Sequence, residues 1–336
     1  MIIQLTKGIS EQEINAIHEK LAAINHKGTE VKTQIGHYII GIGKGEFDIR
    51  NLGNTSGISD IHMVSDDYKL VSKKWKVNPT VIDLGDGVTI ADGGLALMAG
   101  PCSIESEEQI KKVIDHLVAN GVKIMRGGVF KPRSSPYSFR GMGIDGLKMW
   151  YELARAAGIK IVTEVMQVSQ IEEMYDYVDI YQVGARNTQN FNLLDELGKI
   201  DKAVMIKRGI SGTVEELLYS AEYVFSGGNE KLILCERGIR TYERASRNTL
   251  DLNAVPILKA KSHLPVVVDP SHGIGIRQYV PAMALAAVMS GADGIIFETH
   301  EIPEKAFSDG QQTLNFEESS KLIKQLNQTF ELRNSF

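Results

Sequence analysis

The sequence predicts a (β/α)8 barrel of the TIM type preceded by a small βαββαβ, ferredoxin-like domain. Three observations carry that prediction. From residue 95 onward, short apolar runs alternate with amphipathic segments eight times, and strand, helix, strand repeated in that order builds a parallel sheet with right-handed crossovers. Eight repeats close a ring, whereas an open doubly wound sheet usually stops at about five or six strands. Some runs are apolar throughout, as at Val266-Val267-Val268, which marks a strand buried on both faces.

At 336 residues and 43% apolar content the chain can bury one large core and a smaller one. A net charge of −5 points to neither nucleic acid nor an anionic membrane, so any cationic cluster must be local. Two cysteines, Cys102 and Cys235, are too few for a disulfide framework and fit a reducing compartment. The opening stretch, Met1-Ile2-Ile3-Gln4-Leu5-Thr6, lacks the regions of a signal peptide. No run approaches the roughly 18 apolar residues that span a bilayer. A cytoplasmic protein is expected, with no nucleic-acid or membrane partner.

Residues 1–67 have their own rhythm. A strand over 2–5 precedes Ser10, which with Glu13 three residues on makes a capping box that opens a helix. Strands over 31–35 and 38–42 flank Gly36-His37 as a hairpin, and a short helix over 47–52 leads to a last strand over 58–64. The order is βαββαβ. Residues 68–94 hold a charged linker, which begins at Asp66 and runs to Lys76, and a hairpin whose strands over 80–82 and 88–90 flank Gly85-Asp86-Gly87. Such a hairpin would plug the bottom of a barrel.

Residues 95–336 form the barrel. Its strands are predicted over 95–99, 123–126, 160–164, 180–184, 203–207, 231–235, 265–269 and 294–298, with amphipathic segments such as 106–118, 146–157, 213–225 and 278–290 between them. Barrel chemistry sits at strand C-termini and in the loops that follow. Those rims carry Cys102, then Arg126 with Lys131 and Arg133, Glu164, Arg186, Lys207, Arg237, Asp269 with His272, and Glu298. One strand-end arginine is most simply a surface or ion-pair residue. Four rims supplying Arg or Lys to one mouth, in a chain of net charge −5, point instead to a site for polyanions, whose oxygens a guanidinium fork matches.

Cys102, His272, Glu298 and Asp309 make a second set. A thiolate, an imidazole and two carboxylates suit Mn, Fe, Co or Zn, and strands one, seven and eight become neighbours when the barrel closes. Cys235, at the end of strand six, reads as core packing.

Ala99-Gly100-Pro101-Cys102-Ser103, Arg126-Gly127-Gly128, Lys131-Pro132-Arg133-Ser134-Ser135-Pro136-Tyr137, Gly184-Ala185-Arg186-Asn187, Asp269-Pro270-Ser271-His272 and Ser308-Asp309-Gly310 occur in this order. Together they resemble 3-deoxy-D-arabino-heptulosonate 7-phosphate synthases, in the type I-beta branch with an N-terminal ferredoxin-like regulatory domain. The resemblance covers about residues 80–325 in order and the preceding domain more loosely. It implies condensation of phosphoenolpyruvate with erythrose 4-phosphate and release of phosphate, the first step of the shikimate pathway.

Carried over position by position, the resemblance implies that Arg186, Lys207 and Arg237 hold the phosphoenolpyruvate phosphate, with Ala185 beside them and Arg126 and Lys131 near the carboxylate. Lys131, Pro132, Arg133 and Ser134 face erythrose 4-phosphate, Arg133 and Ser134 meeting its phosphate. Cys102, His272, Glu298 and Asp309 bind one divalent ion per subunit, Mn2+ first, with Fe2+, Co2+ and Zn2+ as alternatives. Lys131, Glu164, Lys207 and Asp269 are the expected catalytic residues: Glu164 for the water that adds to carbon 2, Asp269 to position the aldehyde or shuttle a proton. Related sequences often carry two basic residues near 276 and 277. Here the segment is Gly275-Ile276-Arg277, which leaves Arg277 for the second phosphate.

The resemblance also implies feedback inhibition by an aromatic amino acid, Tyr or Phe, at the N-terminal domain, and a homotetramer. Cys102 at a solvent-facing rim would make the activity sensitive to air. Two other readings are the related 3-deoxy-D-manno-octulosonate 8-phosphate synthase, against which Lys131-Pro132-Arg133-Ser134 and the extra domain speak, and a barrel without catalysis that senses an effector.

Overall fold

The computed structural model describes residues 1–44, 48–131 and 137–336. Four antiparallel strands, β1 (Ile2–Leu5), β2 (His26–Lys32), β3 (His37–Gly43) and β4 (Ile58–His62), form a sheet in the order β2-β3-β1-β4. Helices α1 (Glu11–Ala23) and α2 (Arg50–Gly53) complete the βαββαβ order. The Ser10–Glu13 capping box is formed in both directions. Strand alternation divides the sheet's burial: Ile3 and Ile39 pack with Ile17, Leu21 and Leu52 of the helices, while Ile2, Tyr38 and Ile40 face the other way.

That second face is covered by the segment read as a charged linker. Tyr68, Leu70, Val71 and Trp75 are buried and join Ile2, Val31, Tyr38, Ile40 and Val64 in the main core, with Trp75 edge-on to Tyr38 at 5.3 Å between ring centroids. The segment is a packed strap, because its four large apolar residues sit between charges that all reach solvent or a partner. The backbone N–H groups of Leu70 and Val71 donate to the buried Glu222 carboxylate at 2.9 and 3.0 Å, and Trp75 Nε1 donates to Leu70 O at 2.8 Å. Burial of each such side chain contributes about 1.5–3 kcal/mol.

Eight parallel strands, β7 (Ala96–Gly100), β8 (Ile124–Arg126), β9 (Lys160–Val165), β10 (Ile180–Val183), β11 (Ala203–Lys207), β12 (Leu232–Glu236), β13 (Val266–Val268) and β14 (Gly294–Glu298), close into a barrel in sequence order. Around it lie α3 (Glu107–Ala119), α4 (Gly143–Ala156), α5 (Ser169–Met174), α6 (Phe191–Leu197), α7 (Val214–Ser226), α8 (Ala254–Lys261), α10 (Val280–Met289) and α11 (Phe316–Arg333), with the short α9 (Pro270–Ile274) at the end of β13. The hairpin of β5 (Val81–Asp83) and β6 (Thr89–Ala91) places Ile82, Val88 and Ile90 in one cluster with the barrel interior, as a plug at its lower end.

Period two along each strand sorts the side chains. Met98, Ile124, Val162, Ile180, Met205, Ile233, Cys235, Val267 and Ile296 fill the interior, while Val204, Leu234, Val266, Val268, Ile295 and Phe297 face the helices. Two residues beyond the last interior apolar position on seven of these strands come Arg126, Glu164, Gln182, Lys207, Arg237, Asp269 and Glu298. The phase that buries the core therefore aims these groups into the upper mouth. The small sheet docks at the opposite end, where Glu230, just before β12, meets Thr33, the Gln34 side chain and Lys76. Among the described residues no helix is long and apolar enough to cross a membrane.

Candidate functional site

The upper mouth holds a cavity lined by Lys131, Glu164, Gln182, Gly184, Ala185, Arg186, Lys207, Ile210, Arg237, Arg240, Arg247, Asn248, His272 and Asp309. Six cations face two carboxylates in a chain of net charge −5, so the local charge is opposite to the global one and suits a polyanion. Neither Arg186 nor Arg237 forms an ion pair with a carboxylate among the described residues, and burial lowers the Arg237 pKa. Arg237 donates through Nη1 to Gly238 O at 3.4 Å, and neither guanidinium group is neutralised by a carboxylate among the described residues. Gly184 matters by what it lacks: a Cβ there would lie 2.0 Å from Glu164 Oε1, so a larger residue would push that carboxylate out of the cavity wall.

Below the cations lie the potential metal ligands. One ligand atom from each of Cys102, Glu298 and Asp309 falls within 4.8 Å of the others. His272 Nε2 is 3.5 Å from Glu298 Oε1 and 3.9 Å from Asp309 Oδ2. The imidazole is oriented by Asp269, whose Oδ2 accepts from Nδ1 at 2.8 Å and whose Oδ1 accepts the backbone N–H at 2.9 Å as the cap of α9. With its proton on Nδ1 the ring turns the Nε2 lone pair toward the two carboxylates. Burial lowers the His272 pKa, against the opposing pull of Asp269 and Glu298. Burial, with Glu298 beside it, pushes the Cys102 thiol up to about 11, the expected penalty for packing a thiol among carboxylates. A thiol, an imidazole and two carboxylates fit a first-row divalent ion, whose charge would reverse that penalty.

Several expectations change. Cys102 is 3% exposed, not at a solvent-facing rim, and Lys131 Nζ covers it at 3.1 Å from Sγ. The air sensitivity argued from an exposed thiolate therefore has no basis. Asp269 is buried and absent from the cavity wall, with its carboxylate taken by His272 and the Lys207 ammonium. Burial opposes its ionisation, yet His272 and Lys207 hold it well below the usual carboxylate range. Arg126 lies under the cavity, donating to Pro101 O at 3.0 Å and Glu298 Oε1 at 2.8 Å. Arg277 is not in the mouth: Glu304 and Glu318 bind it, each at 2.7 Å. Pro132, Arg133 and Ser134 lie outside the described residues.

Gln182, Arg240 and Arg247 were not anticipated. Gln182 follows the strand phase that marks Glu164 and Lys207. The loop after β12 carries Arg237, Arg240, Arg244 and Arg247, a density of cations that marks a rim. Which of them turn inward depends on the pairing of Ile239 with Thr249, which folds the loop back over the mouth.

Residues 76–335 match the DAHP synthetase I family. A phospho-2-dehydro-3-deoxyheptonate aldolase from Thermotoga maritima is 44% identical over 97% of this chain and 96% of its own. A 2-dehydro-3-deoxyphosphooctonate aldolase from Geobacter sulfurreducens is 32% identical over 73% of this chain and 96% of its own. The crystal structure of phospho-2-dehydro-3-deoxyheptonate aldolase (DAHP synthase) from Thermotoga maritima superposes with a TM-score of 0.78 at 43% identity, covering 97% of this chain and 96% of that one.

Proposed function

The chain belongs to the DAHP synthetase I family, and we propose that it condenses phosphoenolpyruvate with erythrose 4-phosphate and water to 3-deoxy-D-arabino-heptulosonate 7-phosphate and phosphate, in a metal-dependent reaction under feedback control. The observation that carries this reading is the make-up of one cavity. Six cations share its wall with His272 and Asp309, which belong to a cluster of thiol, imidazole and carboxylate groups. Two substrates that both carry phosphate repel each other, and an excess of cations over carboxylates in the mouth offsets that repulsion.

Arg186, Lys207 and Arg237 bind the phosphate of phosphoenolpyruvate, with Ala185 in the same wall. Lys131 reaches between the cavity and Cys102, where it meets the carboxylate and donates a hydrogen bond to the aldehyde oxygen as negative charge develops there. Arg126 adds positive charge from below. Cys102, His272, Glu298 and Asp309 would hold one divalent ion, Mn2+ first among the candidates, which when bound supplies Lewis-acid polarisation of the aldehyde. Glu164, beside Gln182 in the wall, orients the water that adds to carbon 2 and takes its proton. Phosphate then leaves carbon 2 against the same three cations. Arg133 and Ser134 are proposed for the second phosphate, with Arg240 and Arg247 as further cations of the mouth.

The N-terminal sheet is proposed to bind Tyr or Phe as an inhibitor, and the protein to act as a cytoplasmic homotetramer. Relatives that make the octulosonate share the barrel but match a smaller part of this chain, whereas the heptulosonate relative matches nearly all of it. Phosphate release from phosphoenolpyruvate with erythrose 4-phosphate or arabinose 5-phosphate tests the substrate. The proposal expects turnover with the four-carbon aldose phosphate and little with the five-carbon one. Preference for arabinose 5-phosphate would overturn it.

A further inference from the structure

Each candidate carboxylate ligand turns one oxygen toward the other ligands and has its second oxygen tied back. Asp309 Oδ2 accepts from Cys102 Sγ at 3.3 Å, and its Oδ1 accepts from Arg247 Nη1 at 3.3 Å. Glu298 Oε1 faces His272, and its Oε2 accepts from Gln312 Nε2 at 2.8 Å. One tether serves both tied-back oxygens, because Gln312 Oε1 accepts from the same Arg247 Nη1 at 2.7 Å. The partners fix the amide: a guanidinium only donates and a carboxylate only accepts. Gln312 is 2% exposed, so water does not compete for its bond to Glu298, whereas the Arg247 side chain is 41% exposed.

Arg247 is itself built in. Its backbone N–H donates to Ile274 O at 3.0 Å, and its neighbour Asn248 donates through Nδ2 to His272 O at 2.9 Å. Gly275 closes α9 at φ +70°, and a Cβ there would lie 2.3 Å from Arg247 Cβ. The turn that presents His272 thus also seats Arg247. Asp309 has φ +51°, a left-handed conformation that aspartate adopts more readily than most side-chain-bearing residues.

We propose that Arg247 and Gln312 are positioning residues that set the Glu298 and Asp309 carboxylates for a divalent cation, a role that rests on the reading of Cys102, His272, Glu298 and Asp309 as its ligands. Without the tether, among the described residues, Glu298 keeps only its bonds to Arg126 and Thr313, and Asp309 only its bond to Cys102, so a cation must do more of the ordering as it binds. Gln312→Glu keeps the shape and the acceptor for Arg247 but faces Glu298 with a second carboxylate. Gln312→Met removes both hydrogen bonds without adding charge. Arg247→Met removes the shared donor.

The test is calorimetric titration of the metal-free full-length protein with Mn2+, alongside the visible absorption spectrum with Co2+ and the melting temperature of the metal-free form. All three variants are expected to bind Mn2+ about 10–100-fold more weakly and to alter the Co2+ spectrum. The Arg247→Met, Gln312→Met double variant should lose less than the two single effects combined, because the Arg247–Gln312 bond couples the two residues. Native Mn2+ affinity and an unchanged Co2+ spectrum in folded Gln312→Met would overturn the proposal, even if the melting temperature fell. A native protein that binds no Mn2+, or a His272→Ala variant that binds it as tightly, would instead defeat the ligand reading beneath it.

Discussion

Asp269 Oδ2 accepts the Nδ1–H of His272 at 2.8 Å and the ammonium of Lys207 as well. One buried oxygen therefore sets the ring that faces the candidate metal ligands and a cation that lines the cavity.

Replacing Asp269 should disturb both. Asp269→Asn leaves the buried Lys207 without its counter-charge, at a cost of about 3–5 kcal/mol of stability. It should also weaken Mn2+ binding about 10–100-fold through the loss of orientation at His272. Adding Lys207→Met removes the stranded charge and should recover much of the stability in urea denaturation, without restoring activity. A double variant no more stable than Asp269→Asn would contradict the pairing.

Arg186 and Arg277, expected from the sequence to meet the phosphates of phosphoenolpyruvate and erythrose 4-phosphate respectively, should differ from each other. Arg186 lines the cavity with no ion pair among the described residues, so Arg186→Ala should raise KM for phosphoenolpyruvate about 10–100-fold, the loss of a charge-assisted hydrogen bond, with an unchanged melting temperature. Arg277, bound by Glu304 and Glu318, should leave KM for erythrose 4-phosphate unchanged when replaced by Ala and cost at most about 1 kcal/mol of stability. Steady-state kinetics with each substrate varied in turn checks both.

The strap predicts a pH dependence of folding. His263 donates through Nε2 to Leu70 O at 2.8 Å, and its Nδ1 accepts from the Thr80 hydroxyl at 2.7 Å. Burial, with Lys76 and Lys73 nearby, lowers its pKa to about 3 from the ordinary 6.5. Between those values the unfolded chain holds a proton that the folded one lacks, so stability is lost as pH falls through that window and is untouched above it. The loss should be roughly 2 kcal/mol between pH 7 and pH 5. His263→Asn should lack this component. Parallel pH curves for the two proteins in urea denaturation would refute it.

Removal of residues 1–65 should abolish inhibition by Tyr or Phe and preserve turnover, because the strap keeps its bonds to Glu222 on α7. The shortened protein should melt at a lower temperature, since Trp75 loses Tyr38. Inhibition that survives the deletion would place the effector elsewhere.

Much of this was legible in the sequence because period two does double work. The alternation that buries Met205, Cys235 and Val267 inside the barrel also forces Lys207, Arg237 and Asp269 onto the rim. What depends on distant partners was not legible. Arg277 looks like a phosphate ligand until Glu304 and Glu318 are brought beside it, and Asp269 looks like a proton shuttle until both its oxygens are claimed. Arg247 and Gln312 lie in irregular loops with no periodicity, and only the folded turn at Gly275 shows where the arginine goes. The strap was misread because its apolar residues are spaced irregularly among lysines and aspartates.

The central claim is that the Cys102, His272, Glu298 and Asp309 cluster holds a divalent ion that the condensation needs. Its most direct test is phosphate release from phosphoenolpyruvate and erythrose 4-phosphate by protein stripped with a chelator, before and after addition of Mn2+. No turnover is expected from the stripped protein, with recovery on adding Mn2+ and no recovery in a His272→Ala variant. Undiminished turnover in the presence of excess chelator would contradict it.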